Sequence, residues 1–212
     1  MAPRAAGYPV DMLTLYDSLV SGNGYKVRLL LTQLGIPFRL VLLDLRKRET
    51  RTPEFLAKNP NGRIPCLRLE DGSHLWESNA IQWYLADGTS FLPADKLERA
   101  QVLQWMFFEQ YSHEPYIAVV RSWHHFGLLD QFQSQLADKI ERGYAALGVM
   151  ESHLAGRSFF VGERYSIADI ALYAYTHVAD EGKFDLGPYP AVRRWLERVR
   201  AQPRYVPITW AG

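Results

Sequence analysis

The sequence predicts a two-part chain, an α/β half followed by an all-helical half, and three observations carry that expectation. Short apolar strands alternate with helical segments up to about residue 90, a Gly-, Ser- and Pro-containing linker follows, and from Asp95 onward apolar residues recur only at helical spacing. The expected boundaries are a loose leader over 1–11, an α/β unit over 12–90 and a helical unit over 95–212.

Leu13-Thr14-Leu15-Tyr16 reads as a short strand, and Tyr25 to Leu34 as a helix stopped by Gly35, Ile36 and Pro37. Phe38 to Asp44 is a second strand, apolar enough to be covered on both faces, and a right-handed return places it beside the first. After the basic loop Arg46-Lys47-Arg48, the run Thr52-Pro53-Glu54-Phe55 supplies a cap, a proline at the first helical position and an early acid, which start a short helix.

Asn59-Pro60-Asn61-Gly62-Arg63-Ile64-Pro65 is a turn that delivers Pro65 to the first residue of a strand. Proline has no N–H to give to a ladder, so that place suits it, and a tight turn before it is where a cis peptide is found. A cis Ile64-Pro65 bond turns the Ile64 N–H and C=O outward, where an extended peptide can pair with them as another strand does. Strands at Cys66 to Leu69 and His74 to Trp76 flank a hairpin turn, Glu70-Asp71-Gly72-Ser73, and Ser78 to Ala86 closes the unit as a helix.

The resulting order, β-α-β-α-β-β-α, is that of a thioredoxin-like fold. In the second half, Asp95-Lys96-Leu97-Glu98 has the form of a capping box, and helices are expected over Lys96 to Phe126 with a kink at Pro115, Leu129 to Leu154, Ile167 to Val178 and Ala191 to Arg200. Ser166-Ile167-Ala168-Asp169 is a second such box, with Asp169 reaching back to the Ser166 N–H.

Composition narrows the function. With 48% hydrophobic residues in 212, the chain can fill a core, and a net charge of +1 argues against nucleic acid or an anionic membrane as the main partner. Cys66 is the single cysteine, which excludes an intrachain disulfide and a CxxC redox pair; it reads as a small buried hydrophobe. His124-His125 has neither an HExxH frame nor a cysteine partner, so no metal site is expected. Neither a run of about 18 apolar residues nor a secretory signal over Met1 to Gly7 is present, which leads to the expectation of a cytoplasmic protein.

Ser78 is placed to cap the last helix of the α/β unit, and its hydroxyl with the N–H groups of the first turn can receive a carboxylate, while Glu77 beside it can accept from an ammonium. An amino-acid head group carries both charges. These residues resemble the glutathione-binding half of the cytosolic glutathione transferases, in the Asn-Pro-x-Gly-Arg-Ile-Pro turn and the Glu-Ser-x-Ala-Ile helix start. The resemblance implies a cis Ile64-Pro65 bond, Ile64 paired with the cysteinyl backbone of glutathione, with Arg63 and Pro65 in the same turn, and Glu77 and Ser78 on the γ-glutamyl end. It further implies a glycyl end among basic or amide groups, for which Thr50 and Arg51 are candidates together with Arg48 and Lys58.

Such an enzyme must hold the glutathione thiol, whose ordinary pKa is about 8.5, as a thiolate. The loop from Asp17 to Gly24 precedes the first helix, where small residues bring backbone close to a ligand and the helix terminus favours an anion. One charge-assisted hydrogen bond, roughly 1.5–3 kcal/mol, and a helix terminus, roughly 0.3–1 kcal/mol, lower a pKa by about one to two units. Ser21-Gly22-Asn23-Gly24-Tyr25-Lys26-Val27-Arg28 resembles the serine-type loop of zeta and theta transferases, which makes Ser21 the leading thiol donor. Zeta enzymes carry a cysteine where this chain has Asn23, so their isomerase chemistry does not transfer. Asn23 is the next candidate, and Ser18 and Tyr16 remain open; Ser21 also suits a simple helix cap.

By the same resemblance, Tyr111, Tyr116 and Trp123 of the first long helix line the site of an apolar electrophile, although helical core is the default for aromatic residues at that spacing. The resemblance also implies a homodimer and a detoxification role. A non-catalytic binding module and a glutathione-dependent isomerase, dehalogenase or peroxidase stand as alternatives.

Overall fold

A computed structural model describes residues 12–212; the expected leader over 1–11 lies outside them. The chain divides into two compact units, one running to Leu85 and including Val206–Gly212, the other Ala86–Tyr205.

In the first unit, β1 (Leu13–Asp17), β2 (Phe38–Leu42), β3 (Cys66–Arg68) and β4 (His74–Trp76) form one sheet in the order β2-β1-β3-β4. β1 pairs parallel with β2, Leu15 opposite Leu40, and antiparallel with β3, Leu15 opposite Leu67. β1 and β3 thus lie in the middle, and Leu15, Cys66 and Leu67 have no exposed surface. β2 differs from the expectation of a strand covered on both faces: it lies at the sheet edge, and Leu42 is 46% exposed. It also ends two residues early, because Asp44 turns the chain by accepting from the N–H groups of Arg46 and Lys47 at 2.8 and 3.2 Å.

α1 (Gly22–Leu34) starts three residues before the expected position and ends as predicted at Gly35. A short 3-10 turn over Glu49–Arg51 leads into α2 (Pro53–Leu56), capped by Thr52 as expected, and α3 (Ser78–Ala86) follows the hairpin.

The second unit is helical: α4 (Lys96–Phe108), α5 (Glu114–Phe126), α6 (Gln133–Leu154), α7 (Ile167–Thr176) and α8 (Pro190–Arg200). The single long helix expected over 96–126 is instead two helices joined by a π-helical turn, Glu109–His113. Pro115 explains it, since its ring opposes the carbonyl four residues back and it has no N–H to donate; widening the preceding turn relieves both. Asp95 caps α4 through the N–H groups of Leu97 and Glu98 at 2.9 and 3.0 Å.

Asp169 organises the core of this unit. Its carboxylate accepts from the Ser166 N–H at 2.9 Å and the Ser166 hydroxyl at 3.1 Å, closing the predicted box, and also from the Phe160 N–H at 3.2 Å and the Trp195 indole at 2.9 Å. Trp195 and Ile170 are fully buried around it. No helix among the described residues is long and apolar enough to cross a membrane.

Candidate functional site

Ser21 is the N-cap of α1: its backbone is extended, at φ −84° and ψ 119°, and its Oγ accepts from the Gly24 N–H at 3.1 Å. That interaction uses an oxygen lone pair and leaves the hydroxyl hydrogen free to donate elsewhere. Gly24 lets this turn close on β1, because a Cβ at position 24 would stand 1.5 Å from Asp17 Oδ1.

Beneath this turn, Arg28 Nε donates to Asp17 Oδ2 at 2.7 Å, with both side chains fully buried. Burial pushes the Asp17 carboxyl up to about 6, against the opposing pull of the Arg28 charge. Arg28 also donates to the carbonyls of Ile208 and Trp210 at 2.7 and 2.8 Å, and the Tyr25 hydroxyl donates to that of Val206 at 2.8 Å. The last residues of the chain are therefore tied to α1.

The turn before β3 is held by the side chain of its first residue. Asn59, only 2% exposed, donates from Nδ2 to the Arg63 carbonyl at 2.7 Å and accepts at Oδ1 from the Asn61 N–H at 3.0 Å. The Ile64-Pro65 bond it leads to is cis, as expected. Gly62 has φ +61°, and a Cβ there would meet the Arg51 guanidinium at 2.6 Å. Arg51 in turn donates to the Asn61 carbonyl at 3.0 Å, and Thr50 is buried beside it. Thr50 and Arg51 are thus built into the Ile64-Pro65 turn, whereas the Arg63 side chain is exposed.

Ser78 does not cap α3. The carbonyl of Glu77 accepts the first helical bond, from Ile81 N at 3.0 Å, so Glu77 holds the cap position, in a left-handed conformation with φ +69°. Ser78, one residue further, is turned inward and 5% exposed, and its Oγ donates to Asn23 Oδ1 at 3.0 Å. Lys26, which has no exposed surface, places its Nζ 2.8 Å from the same Oδ1 and 3.4 Å from Ser78 Oγ. The candidates Asn23 and Ser78, 55 residues apart in sequence, are brought into direct contact.

Cys66 is buried, with its thiol pushed up to about 11 by desolvation, so it is a packing residue and a poor nucleophile. Tyr16, at the end of β1, packs edge-on against Phe55 at 6.1 Å, and Lys58 Nζ lies 5.7 Å from its ring centre.

In the second unit the three aromatic candidates have different surroundings. Tyr111 is 83% exposed on the π turn. Tyr116 is half-buried, with Lys139 Nζ 5.0 Å from its ring centre. Trp123 is 6% exposed and stacked on Phe132 at 4.9 Å, which is the surrounding of a core residue.

Asp17, Lys26, Arg28 and Asn59 stand in the motifs read from the sequence, but their buried hydrogen-bonding roles were not read there. Lys26 and Arg28 carry one legible signal: three charged or polar residues, at 23, 26 and 28, in the first two turns of a helix otherwise rich in leucine.

A four-stranded thioredoxin-like unit with a cis-proline turn, followed by an all-helical unit, defines the class as that of two-domain thioredoxin-fold proteins. The chain belongs to the glutathione S-transferase family: residues 20–87 match the glutathione S-transferase N-terminal domain and residues 105–203 the C-terminal domain. A glutathione S-transferase structure from Pseudomonas fluorescens [Pf-5] is 54% identical, with a TM-score of 0.91 over 93% of this chain and 99% of that one. The disulfide-bond oxidoreductase YfcG of Escherichia coli (strain K12) is 34% identical over 91% of this chain and 92% of its own length. The structure of Ure2p, a yeast prion protein, in complex with glutathione is 26% identical, with a TM-score of 0.85 over 93% of this chain and 98% of that one.

Proposed function

We propose that the chain is a glutathione transferase that binds glutathione on its first unit and holds the thiol as a thiolate for attack on an apolar electrophile. The observation that carries this reading is the 3.0 Å hydrogen bond between Ser78 and Asn23. It sets the start of α3, where an amino-acid head group would be received, beside the start of α1, where an anionic sulfur is favoured.

In this reading the backbone of Ile64 pairs with the cysteinyl residue, Glu77 accepts from the glutamyl ammonium, the first turn of α3 receives the carboxylate, and Arg51 with Thr50 supports the glycyl end. Ser21 and Asn23 are the thiol donors. The Ser21 oxygen and the Asn23 carbonyl oxygen both act as acceptors, so in this reading the Ser21 hydroxyl and the Asn23 amide serve the sulfur as donors. The thiolate then attacks an electrophilic carbon, a carbon–sulfur bond forms and the leaving group departs with the bonding pair. The membership of the serine-type group, a homodimeric state and Tyr111 and Tyr116 as contributors to the electrophile site belong to the same proposal.

A second reading is supported by the likeness to a disulfide-bond oxidoreductase. The only cysteine is buried with its thiol pushed up to about 11, so glutathione's own sulfur would be the nucleophile here too. It would attack one sulfur of a disulfide, the S–S bond would break, and the second sulfur would leave as a thiolate.

Calorimetry with glutathione, followed by the ultraviolet thiolate absorbance of the complex against pH, tests the common core of both. Saturable binding with a thiol pKa below its solution value is expected, and no binding overturns it. Incubation with an aryl halide or with 2-hydroxyethyl disulfide then separates carbon from sulfur attack by the product formed.

A further inference from the structure

Lys26 is a fully buried lysine in the second turn of α1, and its place follows from helix geometry. Side chains on a helix lean toward its N-terminus, so a long stem at position 26 reaches back over position 23, one turn earlier. Its Nζ meets Asn23 Oδ1 at 2.8 Å and Ser78 Oγ at 3.4 Å, while Ser78 Oγ donates to the same Oδ1 at 3.0 Å. Three polar groups from two helices close a triangle.

Two donors on one carbonyl oxygen decide which way the Asn23 amide faces. Turning it over would set the NH₂ group against the Lys26 ammonium, a donor against a donor. The Asn23 N–H groups are therefore directed away from Lys26 and Ser78. An ammonium on the carbonyl also polarises the amide and strengthens its N–H donors, by about 10–30% per linked bond.

The energetics of the placement point the same way. A helix N-terminus is the positive end of the macrodipole and disfavours a cation, and removing an ammonium from water is costly on its own. A leucine or methionine at position 26 would fill the same space without either cost. The arrangement instead concentrates positive potential on the first turn of α1, where it favours an anion.

The geometry points to Lys26 as a positioning residue for thiol activation: by holding the Asn23 carbonyl oxygen it fixes the orientation of that side chain, and it adds a buried charge that favours the sulfur anion. The inference rests on the glutathione reading above.

The test uses the full chain with Lys26→Met and Lys26→Gln, comparing thermal unfolding, glutathione affinity by calorimetry and the thiolate absorbance against pH. In Lys26→Met the pKa of the bound thiol is expected to rise by about one unit, with affinity at high pH changed far less. Lys26→Gln is expected to lie between it and the parent, since its amide restores a hydrogen bond without the charge. A purely structural role would lower unfolding temperature and leave the pKa of the bound thiol in place.

Asn23→Asp keeps Lys26 paired and so covers the case in which Lys26→Met does not fold. It retains the acceptor for Lys26 and Ser78 but has no donor, and the bound thiol pKa is expected to rise. A folded Lys26→Met or an Asn23→Asp variant with the parent's thiol pKa overturns the role of Lys26 while leaving the glutathione reading standing. A parent protein that does not bind glutathione overturns both.

Discussion

Arg28 Nε stands 2.7 Å from Asp17 Oδ2 with neither side chain exposed, and the same guanidinium holds the carbonyls of Ile208 and Trp210. One arginine thus connects the end of β1, the body of α1 and the last residues of the chain. A buried pair of this kind is strongly felt when one partner is removed, since the other is left charged without water.

Arg28→Met is therefore expected to destabilise the protein by about 3–5 kcal/mol at neutral pH. Asp17→Asn combined with Arg28→Met should recover part of that loss, because no uncompensated charge remains. Urea unfolding of the two single variants and the double variant closes the cycle; equal losses in Arg28→Met and the double variant would refute the account.

Two buried acids contribute one part of the pH dependence. Burial raises Asp17 and Asp169 each to about 6 from the ordinary 3.8. Between those values the native state holds more protons than the unfolded chain, so these groups make unfolding harder as pH falls through that window and easier as it rises. Asp44 and Asp71, on the surface, are shifted the other way by hydrogen bonds from their turns, and their contribution is lost only at more acid pH. His177, lowered by burial from 6.5 to about 4, opposes Asp17 and Asp169 over the same window, so the test is differential: between pH 7.5 and pH 5 the urea midpoint of Asp17→Asn is expected to gain less, or lose more, than the parent's.

Ser21 caps α1 and is a proposed thiol donor, and two substitutions separate the roles. Ser21→Ala should cost about 1 kcal/mol of stability, and Ser21→Gly only a few tenths, because glycine tolerates the cap position. Both remove the hydroxyl. The pKa of the bound glutathione thiol is expected to rise by about one unit in both variants. A rise in neither would leave Asn23 as the donor.

Gly24→Ala would place a methyl group inside the Asp17 carboxylate. Overpacking a closed site costs about 1–3 kcal/mol, and here it also presses on the buried ion pair. A lower unfolding temperature together with weakened glutathione binding is expected; an unchanged protein would mean that the turn can move away from β1.

The two-unit α/β-then-helical order was legible because each signal is local. Period-2 and period-3.6 patterns, Asn-Pro and Asn-Gly turns, the caps at Thr52, Asp95 and Ser166 and the helix stop at Gly35 all act within a few residues. The cis Ile64-Pro65 turn was legible for the same reason. Helix interruption at 109–113 was less so, since proline predicts a disturbance and not how the backbone absorbs it.

The candidate site divides along the same line. Ser21, Asn23, Ile64, Glu77 and Ser78 stand in short motifs, whereas the capping role expected of Ser78 belongs to Glu77, and the Ser78 hydroxyl serves a residue 55 positions away. Asn59 works through its own turn, but an asparagine before proline reads as a turn former whether or not its amide is buried.

By itself the sequence determined the elements, their order and the turn that presents Ile64, because backbone preference and apolar period are properties of neighbours. Only the tertiary structure decided that Lys26 and Ser78 share the Asn23 oxygen and that Arg28 is tied to Asp17 and the chain end. Those links depend on desolvation and on hydrogen bonds between groups far apart in the chain, and a lysine or arginine in sequence carries no mark of whether water or a buried partner will meet its charge.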